Sequence, residues 1–353
     1  MSGIFAKFII AIIGSWFFYY VFCRFSVIFD LCTNKVILLC VAFFLSLFCT
    51  FTILYRLDSK TIAIIWTFSS WIYVLWFILF ILLLFEQIIS IWFKLNPWIV
   101  LSLILIILWF WILFSLKTKV TYLEIQSDKI EKDTKILLVS DIHSDYIFSK
   151  YHIDTIQNYI REYDVDFVLI AWDMLNKPNL DYVYNYSSFK SEKYPPIFAV
   201  IWNHDVMWNK NIIEKIQDIS GIKLLNNESI ELNWIQIVWV IDKSIWWKKT
   251  LDDVLYETNM NTWDTMFTIF ATHQPIAMEK LENYPIDLEV AWHTHRGQFL
   301  GLRKIVEMLN DYWYWKYEYN WKTAFVTQGI WTRWLPFRLG TQSEIVIIDL
   351  KKN

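Results

Sequence analysis

Charge is placed in this chain in a way that leaves little choice of architecture for its first third. Phe8 to Cys23, Val36 to Tyr55, Ile62 to Phe85 and Trp98 to Leu116 contain no Asp, Glu, Lys or Arg. The last three runs reach the roughly 17 to 25 residues with which a helix crosses a bilayer. In lipid, only a helix or a closed barrel satisfies every backbone polar group internally, and runs this long and apolar suit helices. The first run is short between Lys7 and Arg24, and it extends toward Phe29 if Arg24 reaches up to the headgroups. A cleaved signal peptide is the rival reading for that run, but no small-residue cleavage site follows it. The expectation is a bundle of four transmembrane helices (about 8–29, 36–55, 62–85 and 98–116) forming an anchor over 1–118, with a separate domain over 119–353. At 353 residues and 56% apolar content, the chain is too long for one small domain and too oily to be wholly soluble.

Four spans put both termini on one side of the membrane. That side carries Lys7, Arg56, Lys60, Lys117 and Lys119, against Arg24, Lys35 and Lys94 on the other, so the positive-inside bias leans toward a cytoplasmic C-terminal domain in the cell membrane. The spans hold no ionisable residue in their interiors to mark a transport pathway, which argues against a channel. All four cysteines (Cys23, Cys32, Cys40, Cys49) lie in the membrane half, so the second half has no disulfide. A net charge of −3 offers no basic surface for nucleic acid, and no nucleic-acid partner is expected.

From about Val120 the pattern becomes one of short β runs and helical periods. Asp166 to Ala171, Ile197 to Ile201, Ile235 to Ile241, Phe267 to Ala271, Leu288 to Ala291, Thr323 to Val326 and Glu344 to Ile348 read as strands. Ile153, Ile156 and Ile160 line one helix face, and Ile212, Ile213, Ile216 and Ile219 line another. The result is a mixed α/β domain of two layered sheets or one large one. In such folds ligands gather at the carboxyl ends of strands. Five of the six histidines stand there: Asp141-Ile142-His143, Asn203-His204-Asp205, His273, and the pair in Ala291-Trp292-His293-Thr294-His295. Alternation at a strand end lets His293 and His295 address one point, a geometry that suits a metal ion.

The composition is abnormal in one respect. Glycine at roughly 7% would give about 25 residues, yet the chain has 7, alongside 22 tryptophans. Tryptophan also stands where glycine is expected. Asn233-Trp234 and Asn320-Trp321 each separate two apolar runs in the manner of an Asn-Gly hairpin turn, whose two central residues both take positive φ. Interfacial belts account for Trp92 and Trp98 but not for fourteen tryptophans beyond residue 120. The sequence therefore reads as one in which many or all tryptophans are glycines in the organism. The gene would use UGA for glycine and have been translated with UGA as tryptophan.

With glycine at those positions, the ordered motifs resemble the calcineurin-like metallophosphoesterases, in particular their membrane-anchored bacterial branch. The motifs are Ser140-Asp141-Ile142-His143, Trp172-Asp173, Trp202-Asn203-His204-Asp205, His273 and Trp292-His293-Thr294-His295, and the tail Gln328 to Gly340 also looks like that branch. The resemblance implies an α/β/β/α sandwich and a dinuclear centre of two divalent ions, Mn, Fe or Zn by the mixed O and N donors. It implies that Asp173 bridges the ions, that Asp141, His143 and His295 hold one, and that Asn203, His273 and His293 hold the other. His204 would be the general acid that protonates the leaving oxygen or binds phosphate. The implied activity is hydrolysis of a phosphomonoester, phosphodiester or pyrophosphate, with the bilayer and a phosphorylated small molecule or lipid as partners. A catalytically inactive membrane-tethered binding protein is the alternative if the tryptophans are real, because Trp172, Trp202 and Trp292 would crowd backbone that must approach the ions. Of the neighbouring residues, Asp145, Arg296 and His152 read as solvated or surface side chains, and Tyr312 to Trp321 as a hairpin.

Overall fold

The computed structural model describes the chain apart from residues 1, 55–59, 94–95, 145–147, 172–173, 176–179, 201–209, 226, 241–248, 261–262, 293, 298–299, 331–337 and 339. The chain falls into two compact units, Met1–Phe114 and, from Ser115 onward, a unit that includes Arg338–Asn353.

The first unit consists of α1 (Ser2–Ile28), α2 (Lys35–Leu54), α3 (Lys60–Ile89) and α4 (Pro97–Leu116). Asparagines open two of them: Asn34 Oδ1 accepts from Val36 N and Asn96 Oδ1 from Trp98 N, both at 2.9 Å, which satisfies amide groups that a helix start leaves unpaired. By length and composition, α1 over Ile9–Ile28 and α3 over Ile64–Ile89 are able to cross a membrane, while the apolar stretches Lys35–Thr50 and Pro97–Phe110 are shorter. Large apolar side chains such as Trp16, Phe44, Phe68 and Trp109 face outward. Polar groups lie inside: Ser46 Oγ donates to Ala11 O at 2.7 Å and meets Tyr73 Oη at 2.8 Å. A Cβ on Gly14 would lie 2.5 Å from Ser46 Oγ, so the small residue sets how closely α1 and α2 approach. Polar and small residues inside with large apolar side chains outside is an arrangement that would suit lipid. The first helix does extend past Arg24, to Ile28. Arg24, partly buried, pairs with Glu86 of α3 at 2.7 Å, a charge-assisted contact between helices.

The second unit holds two mixed six-stranded sheets. In the first the order is β1 (Thr118–Ser127), β12 (Ser343–Lys352), β2 (Thr134–Ser140), β3 (Phe167–Ala171), β4 (Ile197–Val200) and β5 (Lys223–Leu225). In the second it is β10 (Trp315–Tyr319), β11 (Lys322–Val326), β9 (Leu288–Ala291), β8 (Phe267–Ala271), β7 (Ile235–Trp239) and β6 (Glu228–Leu232). Alternation along the strands builds the layers. Ile136 and Leu138 of β2 join Ile237, Ile269 and Val290 in a core between the sheets. Leu137 and Val139 point the other way, onto Ile153, Ile156 and Ile160 of α5 (Ser149–Tyr163) and onto Ile212 and Ile216. On the far side, Val238 and Phe270 pack under Val254, Leu255, Met278 and Leu281. The unit is thus a helix, sheet, sheet, helix sandwich. Burial of each such isoleucine or leucine contributes about 1.5–3 kcal/mol.

Parallel pairing of β2, β3 and β4 puts their carboxyl ends on one edge, and β7, β8, β9 and β11 do the same in the second sheet. Because β12 runs antiparallel to β2, its first residues, Ser343 and Glu344, stand level with the end of β2. β1 begins before the change of pattern at Val120, and its exposed alternate residues hid it among the polar positions. In the hairpins the turns are the expected two residues, Leu232 pairing with Ile235 and Tyr319 with Lys322. Only the asparagine of each turn is left-handed, Asn233 at φ 57 and Asn320 at φ 52. Trp234 and Trp321 stay out of the positive-φ region, contrary to the expectation for both central residues.

Candidate metal centre

Three sequence-predicted ligands converge where the two sheets' edges meet. Asp141 and His143 leave β2 and His295 follows β9, and one ligand atom from each lies within 4.8 Å of the other two. Nε2 of His295 is 3.6 Å from Asp141 Oδ1 and Nε2 of His143 is 4.0 Å from it. The two imidazole rings face each other with centroids 6.4 Å apart and planes at 27°. Asp141 is 1% exposed and His295 6%. Two neutral imidazole nitrogens and a carboxylate so close together, with little water, form a donor set that fits a divalent transition ion.

The backbone at this point is unusual. Asp141 has φ 55, His143 φ 44, His295 φ 46 and Arg296 φ 52. Non-glycine residues in the left-handed region persist only where surrounding structure over-determines them, and such residues cluster at functional sites. The restraints here are specific. Ser140 Oγ donates to Asp141 Oδ2 at 2.9 Å. Ile330 N donates to Ser140 O at 2.9 Å. Ser144 N donates to Met174 O at 2.8 Å, which fastens the segment after β2 to the segment after β3. Tyr186 Oη joins the same junction, taking the Ser144 hydroxyl proton at 2.6 Å and donating to Met174 O at 2.6 Å.

His273 stands at the end of β8, 6% exposed, with its ring centroid 6.2 Å from that of Trp292. Asp173, Asn203, His204 and His293 lie outside the described residues, as do Trp172, Trp202 and Asp145. The Trp292 ring itself is wholly buried in the core between the sheets, 6.3 Å from the ring of Trp239.

Two neighbouring residues are not solvated as the sequence suggested. His152 is 2% exposed, because α5 turns it inward with Ile153 and Ile156. Burial pushes its imidazole down to about 3, with Coulomb interactions with Arg338 and His143 acting in the same direction. Arg296 is half-buried with its guanidinium 4.1 Å from the centre of the Tyr314 ring, since stacking suits a weakly hydrated planar cation. Burial, and next the Glu344 carboxylate, push the Tyr314 hydroxyl up to about 12. Other residues at the site were not singled out in the sequence: Gly329, Arg338 and Glu344, all in or after the segment leaving β11. Gly329 and Arg338 lay in a tail with no assigned roles, and Glu344 only opened a predicted strand. A groove of about 440 Å³ beside Lys117, Tyr151 and Tyr159 contains none of the candidate ligands.

A family model described as calcineurin-like phosphoesterase matches residues 134–299, which contain all of the predicted ligands. The chain carries a calcineurin-like phosphoesterase domain. This phosphoesterase domain is similar to an uncharacterized metallophosphoesterase of Helicobacter pylori strain 26695, 27% identical over 244 residues, 66% of this chain and 64% of that protein. It is also similar to one from Campylobacter jejuni, 26% identical over 67% of this chain and 64% of that protein. A third relative is the metallophosphoesterase YkuE of Bacillus subtilis, 24% identical over 62% of this chain and 79% of that protein. The chain thus spans a little under two thirds of the length of the Helicobacter and Campylobacter proteins.

Proposed function

We propose that this protein is a membrane-anchored phosphohydrolase with a dinuclear metal centre, acting on a phosphoester or pyrophosphate bond. The observation that carries the reading is the convergence of buried Asp141 and His295 with partly buried His143 at the meeting edges of the two sheets. In the proposal these three hold one ion, Asn203, His273 and His293 hold the second, and Asp173 spans both. When bound, such a pair supplies a hydroxide near neutral pH and neutralises charge on the phosphoryl oxygens. The chain's own residues orient and protonate. Asp141 is held in place by the restraints described above, and His204 would keep a proton for the leaving oxygen. The four apolar helices form the anchor over 1–118, with the domain over 119–353 on the cytoplasmic side. Tethering favours a substrate at the bilayer surface, a lipid-linked phosphate or nucleotide-activated lipid.

The tryptophans in the motifs are part of the same proposal. Seven glycines against 22 tryptophans, and Trp315 at φ 77, support glycine at many of these positions in the organism. The competing reading of an inactive binding protein rested on obstruction by tryptophan, and at Trp292 the ring packs away into the core. The test is hydrolysis of an aryl phosphodiester and an aryl phosphomonoester by the full-length chain, made with glycine and with tryptophan at 172, 202 and 292, with Mn, Fe or Zn added. Metal-dependent turnover that Asp173→Asn abolishes is expected. A folded, metal-loaded chain that cleaves neither substrate class in either form would overturn the reading.

A further inference from the structure

The segment leaving β11 is gripped from two sides by buried charges of opposite sign. Glu344, wholly buried at the start of β12, accepts from Thr327 Oγ1 and Gln328 N, each at 3.1 Å, and from Thr121 Oγ1 at 2.5 Å. Arg338, also wholly buried, donates from Nη2 to Gln328 O at 2.7 Å and to Gly329 O at 3.0 Å. Glu344 N donates to the same Gly329 carbonyl at 2.9 Å, and Ile330 N to Ser140 O at 2.9 Å. Gln328 N and O, Gly329 O and Ile330 N are therefore all tied down.

What this grip presses upon is Asp141. Gly329 has φ 74, a conformation that glycine adopts without strain. A Cβ on it would lie 3.0 Å from both Cβ and Cγ of Asp141 and closer still to Oδ2. The Gly329 backbone is thus a wall against one oxygen of the carboxylate, with Ser140 Oγ donating to that same oxygen. Oδ1 is the oxygen turned toward His143 and His295. A clamp meant only to close a loop would not need a guanidinium and a carboxylate out of water, since each is costly to bury. It would also not need a bare backbone at van der Waals distance from a candidate ligand.

We infer that Arg338 and Glu344 are positioning residues of the metal centre, holding Gly329 against Asp141 so that the carboxylate presents Oδ1 to the ion shared with His143 and His295. The inference rests on the reading of Asp141 as a ligand. Residues that orient metal ligands typically change metal affinity by about 10–100-fold when altered. Binding of Mn²⁺ to the full-length chain in detergent is to be measured directly, by equilibrium dialysis with elemental analysis, for wild type, Asp141→Asn, Gly329→Ala, Arg338→Gln, Arg338→Lys and Glu344→Gln. Hydrogen exchange on each variant checks that the domain is folded. Expected is a loss of affinity of about 10-fold or more in Gly329→Ala and Arg338→Gln, with a smaller loss in Arg338→Lys, which keeps the charge but not the fork. Turnover should return at saturating Mn²⁺ while the apparent metal constant stays raised. A general destabilisation does not produce that pattern, and Ile230→Val, in the edge strand β6, serves as the control that should leave affinity unchanged. Wild-type affinity in folded Gly329→Ala and Arg338→Lys, with Asp141→Asn impaired, overturns the clamp and leaves the ligand reading standing. Wild-type affinity in Asp141→Asn overturns both.

Discussion

Exchanging Glu289 for glutamine probes the buried electrostatics of the second sheet. Glu289 stands in β9 with no exposed surface. Its Oε1 accepts from Ile276 N at 2.7 Å and from Thr272 Oγ1 at 3.0 Å, so it ties down the loop that carries His273. Its Oε2 is buried with no hydrogen-bond partner among the described residues. Burial pushes the carboxyl up to about 8 from an ordinary 4.5, and the two donors offset only part of that. Glu289 is therefore a neutral acid at physiological pH. In the unfolded chain it ionises near 4.5, so between 4.5 and about 8 the folded protein keeps a proton that the unfolded chain has released. Stability must fall as pH rises through that window and level off above it. At about 1.4 kcal/mol for each pH unit, a gap of roughly 3.5 units sets a ceiling of about 5 kcal/mol. Glu289→Gln keeps the Oε1 acceptor and the volume but has nothing to ionise. The assay is urea unfolding of the full-length chain in detergent, followed by hydrogen exchange of the β8 and β9 peptides. Wild type and variant should have similar midpoints near about pH 5, with the variant several kcal/mol more stable near about pH 8.5. A constant difference across that range would refute the argument, since it would mean that no native proton sits on Glu289.

Other outcomes follow from the same structure. His152, pushed down to about 3, stays neutral in the fold while the unfolded imidazole takes a proton near 6.5. Stability is therefore full above 6.5 and falls as pH drops through that window, and His152→Leu should shift the acid-unfolding midpoint to lower pH in the same exchange experiment. Lys322, 1% exposed, donates Nζ to Ile286 O at 3.0 Å and also to Tyr284 O. Lys322→Met strands both carbonyls and should cost about 1–3 kcal/mol, read as a lower urea midpoint. Peptide mass spectrometry on protein from its own organism should find glycine masses at positions 202, 292 and 315; tryptophan at all three would remove the recoding.

Much of the architecture was legible because the signals are local. Charge-free runs locate the helices of the first unit to within a few residues, and β3, β8 and β9 follow from short, mostly apolar runs that the fold buries completely. β1 was not legible, since Glu124 and its neighbours alternate with buried residues only once β12 lies alongside. His152 read as a surface residue because a helix start beside a loop is usually exposed. Its burial follows from the α5 face that meets the first sheet.

The sequence by itself singled out the candidate ligands, three of which, Asp141, His143 and His295, the fold brings together. Histidines and carboxylates at strand ends declare themselves by type and spacing, because few other roles need those donors in that order. Tertiary structure alone decided what surrounds them. Asp141 and Gly329 are nearly two hundred positions apart, and no periodicity links them. They touch because β12 runs antiparallel to β2 and returns Glu344 to the edge where β11 ends. Residues that act by packing against a ligand bear no chemical mark of their own in the sequence, so the fold must be closed before their role appears.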